Sequence, residues 1–91
     1  MYAITIRWES RRVDLPEFRR RFASRVRELR EARGLRQEDL ETFGLAWKTV
    51  QKLEYGNTDP RASTMLKLCR AFGLPLHELL RFESRPRSGS R

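Results

Sequence analysis

Cysteine and histidine are almost missing from this chain, with Cys69 and His77 standing alone among 91 residues. One cysteine excludes an intramolecular disulfide and a cysteine zinc cluster, and adding one histidine assembles neither a metal site nor a catalytic triad. No enzyme, cofactor or metal is expected. No apolar run approaches the roughly 18 residues of a membrane span, and no secretory signal pattern opens the chain. A soluble, cytoplasmic protein with no membrane partner is expected. Acids are in deficit, 12 against 20 Lys and Arg, and the formal net charge of +8 favours polyanionic partners while leaving the fold open. No internal repeat is present, and the length suits one small domain rather than two.

The charge is unevenly placed. Residues 17–33 hold seven Arg and three acids, and residues 81–91 hold four Arg and one acid. Residues 34–56 hold three basic residues against four acids. Glu38, Asp39 and Glu41 fall in or near the first turn of an expected helix, where the helix dipole favours negative charge. The flanks are expected to supply bulk attraction, and the central segment selectivity.

Along the chain, Tyr2, Ile4, Ile6 and Trp8 alternate with Ala3, Thr5 and Arg7, which predicts a strand. Asp14 then reads as an N-cap with Glu17 as its capping-box partner and Val13 meeting Phe18 as a staple. Phe18, Phe22, Val26 and Leu29 lie at helical steps along one stripe that Gly34 ends. Leu40 and Phe43 mark a short second helix from about Gln37, and Gly44-Leu45-Ala46 is the turn after it. A third helix, Trp47 to Tyr55, buries Val50 and Leu53 before Gly56. A loop containing Pro60 leads to a fourth helix with Met65, Leu66, Leu68, Cys69 and Phe72 on its inner face. Pro75 opens a fifth that buries Leu76, Leu79 and Leu80. The tail beyond Glu83, "SRPRSGSR", has no apolar residue and is expected to be disordered. The expected division is 1–12 as strand and linker, 13–83 as helical domain and 84–91 as basic tail.

The order and spacing of these signals across Arg27 to Leu80, "RELREARGLRQEDLETFGLAWKTVQKLEYGNTDPRASTMLKLCRAFGLPLHELL", resemble the lambda-repressor-like, Cro/C1-type (XRE) helix-turn-helix domain. The features that match are a helix ending at Gly34, Gln37 opening a short helix, Gly44 ten residues before Glu54, then Gly56, Pro60 and "GLPLHELL". The resemblance implies an all-α, five-helix DNA-binding domain, here with an added N-terminal β-strand. It implies a transcriptional regulator, a repressor on a palindromic operator, whose partner is double-stranded DNA and whose third helix lies in the major groove.

Val50 and Leu53 must face the core, so Trp47, Lys48, Gln51 and Lys52 are presented on the other side as base-reading candidates. Gln51 can pair in bidentate fashion with adenine, and either lysine can donate to guanine acceptors. A polar helix face is otherwise simply a solvated one. Trp47 packs against sugar or a thymine methyl, or it covers the turn. The resemblance makes Gln37 and Arg36 contacts to the DNA backbone, with Asn57 approaching phosphate, whereas outside the family Arg36 is a surface arginine and Asn57 a turn former. It also pairs Arg30 with Glu54 as a structural bridge between the first and third helices. Cys69 takes a slot usually held by Ala and reads as a small buried apolar residue.

The chain departs from the family in places. Leu40 to Gly44 is one step shorter than usual, and Glu41 stands where a small Ala is preferred. Arg36, Ala46 and Arg61 occupy three slots that usually hold Ser or Thr caps, each forfeiting about 0.5 to 2 kcal/mol. The apolar face of Tyr2, Ile4, Ile6 and Trp8 predicts dimerisation, with the strand pairing against its copy in a homodimer; the other readings are a strand packed alone on its own domain, a strand paired with a partner protein, or a dimer joined through the fifth helix. Two further readings stand beside the regulator. One is an adaptor that grips a partner protein, as an antitoxin grips a toxin, and the other is unselective binding of nucleic acid through the Arg-rich parts.

Overall fold

A computed structural model describes residues 14–82 of the chain. The strand at Tyr2 to Trp8, the Val13 staple and the basic tail lie outside the described residues. Four α-helices and one 3-10 helix follow in order: α1 (Leu15–Ala32), the 3-10 helix η1 (Gln37–Phe43), α2 (Trp47–Tyr55), α3 (Ala62–Phe72) and α4 (Leu76–Leu79). No helix among the described residues is long and apolar enough to cross a membrane.

Asp14 caps α1 as its sequence position predicts, accepting the Glu17 N–H at 3.0 Å. The Glu17 carboxylate lies against Arg21 at 2.6 Å, one turn on. Phe22, Val26 and Leu29 are buried along one side of α1 and meet Leu40, Val50, Leu53, Leu68, Phe72 and Leu79 in a single core. Each such side chain removed from water contributes about 1.5 to 3 kcal/mol. Phe18 extends the core outward, stacked on Phe22 at 5.8 Å and tilted against Phe82 at 5.6 Å.

Two expected core positions turn out differently. Leu66 on α3 is 58% exposed and Leu76 is 40% exposed. The apolar arc of α3 is wider than the surface it packs against, so Met65, Leu68, Cys69 and Phe72 meet the core while Leu66 falls beyond its edge. Helix α4 is a single turn, which delivers only Leu79 fully inward. Cys69 is partly buried against the core, and burial pushes its thiol pKa up.

The second helix is wound as a 3-10 helix through all seven of its residues. At about 2.0 Å of rise per residue it spans roughly 14 Å, a length an α-helix would need about nine residues to cover. The winding therefore lets the four steps from Leu40 to Gly44 reach farther than they would in an α-helix. Gly44 closes the helix at φ +86°, a conformation that suits glycine, and the Lys67 side chain passes 3.5 Å from where a Cβ would stand.

The later helices end on cations borrowed from elsewhere. Arg27 donates to the carbonyl of Glu54 at 3.3 Å, Arg33 to Phe72 at 3.0 Å, Arg25 to Glu78 at 2.7 Å, and Lys67 to Gly44 at 3.2 Å. The last carbonyls of a helix have no partner within it, and these donors satisfy them. Arg33 also lies over the Phe72 ring at 5.4 Å. Arg25 and Arg27 of α1, and Arg33 at its cap, thus also serve the fold.

Leu40 is fully buried and Phe43 is 36% exposed. Leu40→Ala should therefore cost about 2 to 5 kcal/mol of unfolding free energy in urea titration. Phe43→Ala, although it deletes the larger side chain, should cost clearly less.

Candidate nucleic-acid interface

Helix α2 has two unlike sides. Val50, Leu53 and Glu54 are buried, while Lys48, Gln51, Lys52 and Tyr55 are exposed on the side away from the core, with Trp47 and Thr49 exposed at its flanks. Trp47 is 38% exposed, and the Lys48 ammonium lies 5.9 Å from the centre of its ring. The four base-reading candidates are thus all exposed, with Trp47 joined to the others through Lys48. The sequence reading missed Tyr55, which is 79% exposed at the far end of the same face. Its one-turn spacing from Gln51 was the available signal.

What holds this face in place is a buried carboxylate. The Glu54 side chain is 1% exposed, and Arg30 grips it with both arms, Nε to Oε2 at 2.7 Å and Nη2 to Oε1 at 2.9 Å. Gln37 adds its amide Nε2 to Oε1 at 3.1 Å, and Arg27 stands 3.6 Å from the same oxygen. Arg30 also donates through Nη1 to the Leu35 carbonyl at 2.7 Å. One cluster therefore ties α1, the loop before η1, the first residue of η1 and the last turn of α2. Burial acts to raise the Glu54 pKa, but hydrogen bonds from Arg30 and Gln37 and the nearby positive charges outweigh it and hold the carboxyl below its ordinary value. The same bond raises the Arg30 guanidinium pKa further.

The three slots lacking Ser or Thr are indeed N-caps, and none of them caps through its own side chain. Carboxylates elsewhere in the chain serve two of these ends. Asp39 accepts the Arg36 N–H at 2.7 Å, and Glu41 accepts the Trp47 N–H at 3.4 Å, so the Glu in the small-residue slot supports the start of α2. Asn57 is exposed in the loop after Gly56. Arg36 is exposed, with its guanidinium on Asp39 at 2.9 Å. The Gln37 amide donor faces inward to Glu54.

The comparisons agree with this geometry. Residues 26–79 match the family model described as helix-turn-helix. The chain is 35% identical over 60 residues to the transcriptional repressor RstR of the cryptic phage CTXphi in Vibrio cholerae, an alignment covering 65% of this chain and 54% of that protein. It is 38% identical over 63 residues to the regulator DdrOP3 of Deinococcus deserti, covering 66% and 47%. With the HTH-type transcriptional regulator YgzD of Bacillus subtilis the identity is 36% over 61 residues, 66% of this chain and 92% of that protein. The aligned part spans about half the length of the first two relatives.

Glu54→Ala strands the Arg30 charge in a nearly closed site, and should cost about 3 to 5 kcal/mol by urea unfolding. The double change Arg30→Met with Glu54→Leu should recover much of that loss. Because the folded Glu54 pKa is depressed, its contribution to stability is present above the unfolded value and is lost as pH falls through the folded one. Acid titration of the native chain should show that loss, and the double variant should lack it.

Proposed function

The chain belongs to the Cro/C1-type helix-turn-helix family of DNA-binding transcriptional regulators, and we propose that it is a cytoplasmic repressor that binds a palindromic operator as a homodimer. The observation that carries the reading is the exposed side of α2, where an amide, two ammonium groups and two aromatic rings stand on a helix whose other side is anchored by Val50, Leu53 and Glu54. An α-helix such as α2, about 10 to 12 Å across with its side chains, fits into a major groove some 12 Å wide. The resemblance to a protein named as a phage repressor supports the direction of regulation.

In this reading Gln51 pairs with adenine, Lys48 and Lys52 donate to guanine, and Trp47 lies against sugar or a thymine methyl. The backbone of Gln37, Asn57 and the released guanidinium of Arg36 meet phosphate. One reading helix covers only a few base pairs, so selectivity requires two subunits whose helices lie about 34 Å apart on one side of the duplex. The Tyr2, Ile4, Ile6 and Trp8 segment, outside the described residues, supplies the joint by pairing with its copy about a two-fold axis.

Selection from a random duplex library should yield a palindromic consensus. A salt titration should then separate the winner from its scrambled sequence, while equal binding of both would leave only unselective attraction. Gln51→Ala should cost about 1 to 3 kcal/mol on the winning duplex and little on random DNA, relaxing one position per half-site. Equal losses on the two would remove Gln51 from base reading. Deleting Met1 to Trp8 should turn a dimer into a monomer in light scattering with the helical signal kept, and a truncated chain that stays dimeric contradicts the strand joint.

A further inference from the structure

At the start of η1 two side chains of opposite charge are held unequally. The Asp39 carboxylate is fixed to its own turn, because Oδ2 accepts the Arg36 backbone N–H at 2.7 Å. The Arg36 guanidinium closes on the same carboxylate, Nη2 to Oδ1 at 2.9 Å and Nε to Oδ2 at 3.3 Å. The Arg36 side chain is 73% exposed against 30% for Asp39, and Asp39 is its one ion-pair partner among the described residues. The guanidinium can leave and the carboxylate cannot. Hydrogen bonding with Arg36 holds the Asp39 carboxyl below its ordinary pKa, so it stays charged at neutral pH.

A phosphate recruits Arg36 by drawing it off a negative charge that remains in place. On a matched duplex, base contacts from α2 fix the register and hold one phosphate at a constant distance, so the exchange can be completed. On unmatched DNA the chain is held loosely by its diffuse charge, no phosphate stays in register, and the guanidinium remains on Asp39. We propose that Asp39 is a selectivity-determining residue that withholds the Arg36 cation from unmatched DNA and releases it to phosphate only when the reading helix is in register. The proposal rests on the DNA-reading role of α2 and adds to it a residue that touches no base.

The test uses the full chain, the duplex selected from the random library and its scrambled counterpart. In Asp39→Asn the amide oxygen still accepts the Arg36 N–H, and Asp39→Ser retains an acceptor as a second variant should the first fold poorly. Either variant should bind scrambled duplex about two- to fivefold more tightly, the scale of an exposed ion pair. Its salt dependence on that duplex should steepen by about 0.9, one added phosphate contact, while binding to the selected duplex changes less. The gain should vanish in an Arg36→Ala background and should exceed that of Glu38→Gln, which removes a neighbouring exposed charge without touching the pair. A gain that persists without Arg36, that matches Glu38→Gln, or that is equal on both duplexes overturns the proposal. An unaltered chain that selects no duplex removes the DNA-reading premise instead, and is told apart from those outcomes before any variant is made.

Discussion

The position of the reading helix depends on one carboxylate taken out of water. Burying Glu54 alone would cost several kcal/mol, so the site exists only because Arg30 meets both of its oxygens and Gln37 one of them. Those partners come from α1 and from the first residue of η1, and they can reach Glu54 only at one tilt and one rotation of α2. An apolar residue at the same place would pack against Leu or Val over a range of angles. A charge with directional partners narrows that range, which is what the proposed presentation of Gln51 to a base requires.

Charge elsewhere in the chain serves the fold more than its total suggests. Arg25, Arg27 and Arg33 satisfy carbonyls at the ends of other helices, and Arg36 is matched by Asp39. Cations on the exposed side of α2 are Lys48 and Lys52. Arg20, Arg61 and Arg70 are exposed as well, so the attraction available from the described residues is shared between α2 and its flanks. Carboxylates also serve helix starts, since Asp39 and Glu41 accept the N–H groups of Arg36 and Trp47 where the N-caps Arg36 and Ala46 carry no Ser or Thr.

The fold was largely legible in the sequence because apolar spacing is a local property. Phe22, Val26 and Leu29 announced α1, Asp14 its cap, Gly34 its end, and Val50 with Leu53 the orientation of α2. The Arg30–Glu54 pair was legible only through the family resemblance, since the two residues are 24 apart. Winding was not legible in η1, where the three-residue step from Leu40 to Phe43 suits either helix type. Leu66 and Leu76 misled because hydrophobicity does not say where a small core ends. The inward turn of the Gln37 amide was hidden for another reason: the same group suits a phosphate or a carboxylate, and only the position of Glu54 decides between them. Tyr55 was overlooked at the end of a helix whose reading face it extends.

The most direct test of the account is amide and arginine-side-chain NMR of the full chain, titrated with the duplex it selects. The account predicts the largest shifts from Trp47 to Tyr55 and at Gln37, small ones around Leu66 and Leu76, and an Arg30 Nε–H signal that keeps its hydrogen-bonded position throughout. Largest shifts on the Leu66 and Leu76 surface, or an Arg30 signal that loses its Glu54 bond when DNA binds, would contradict it.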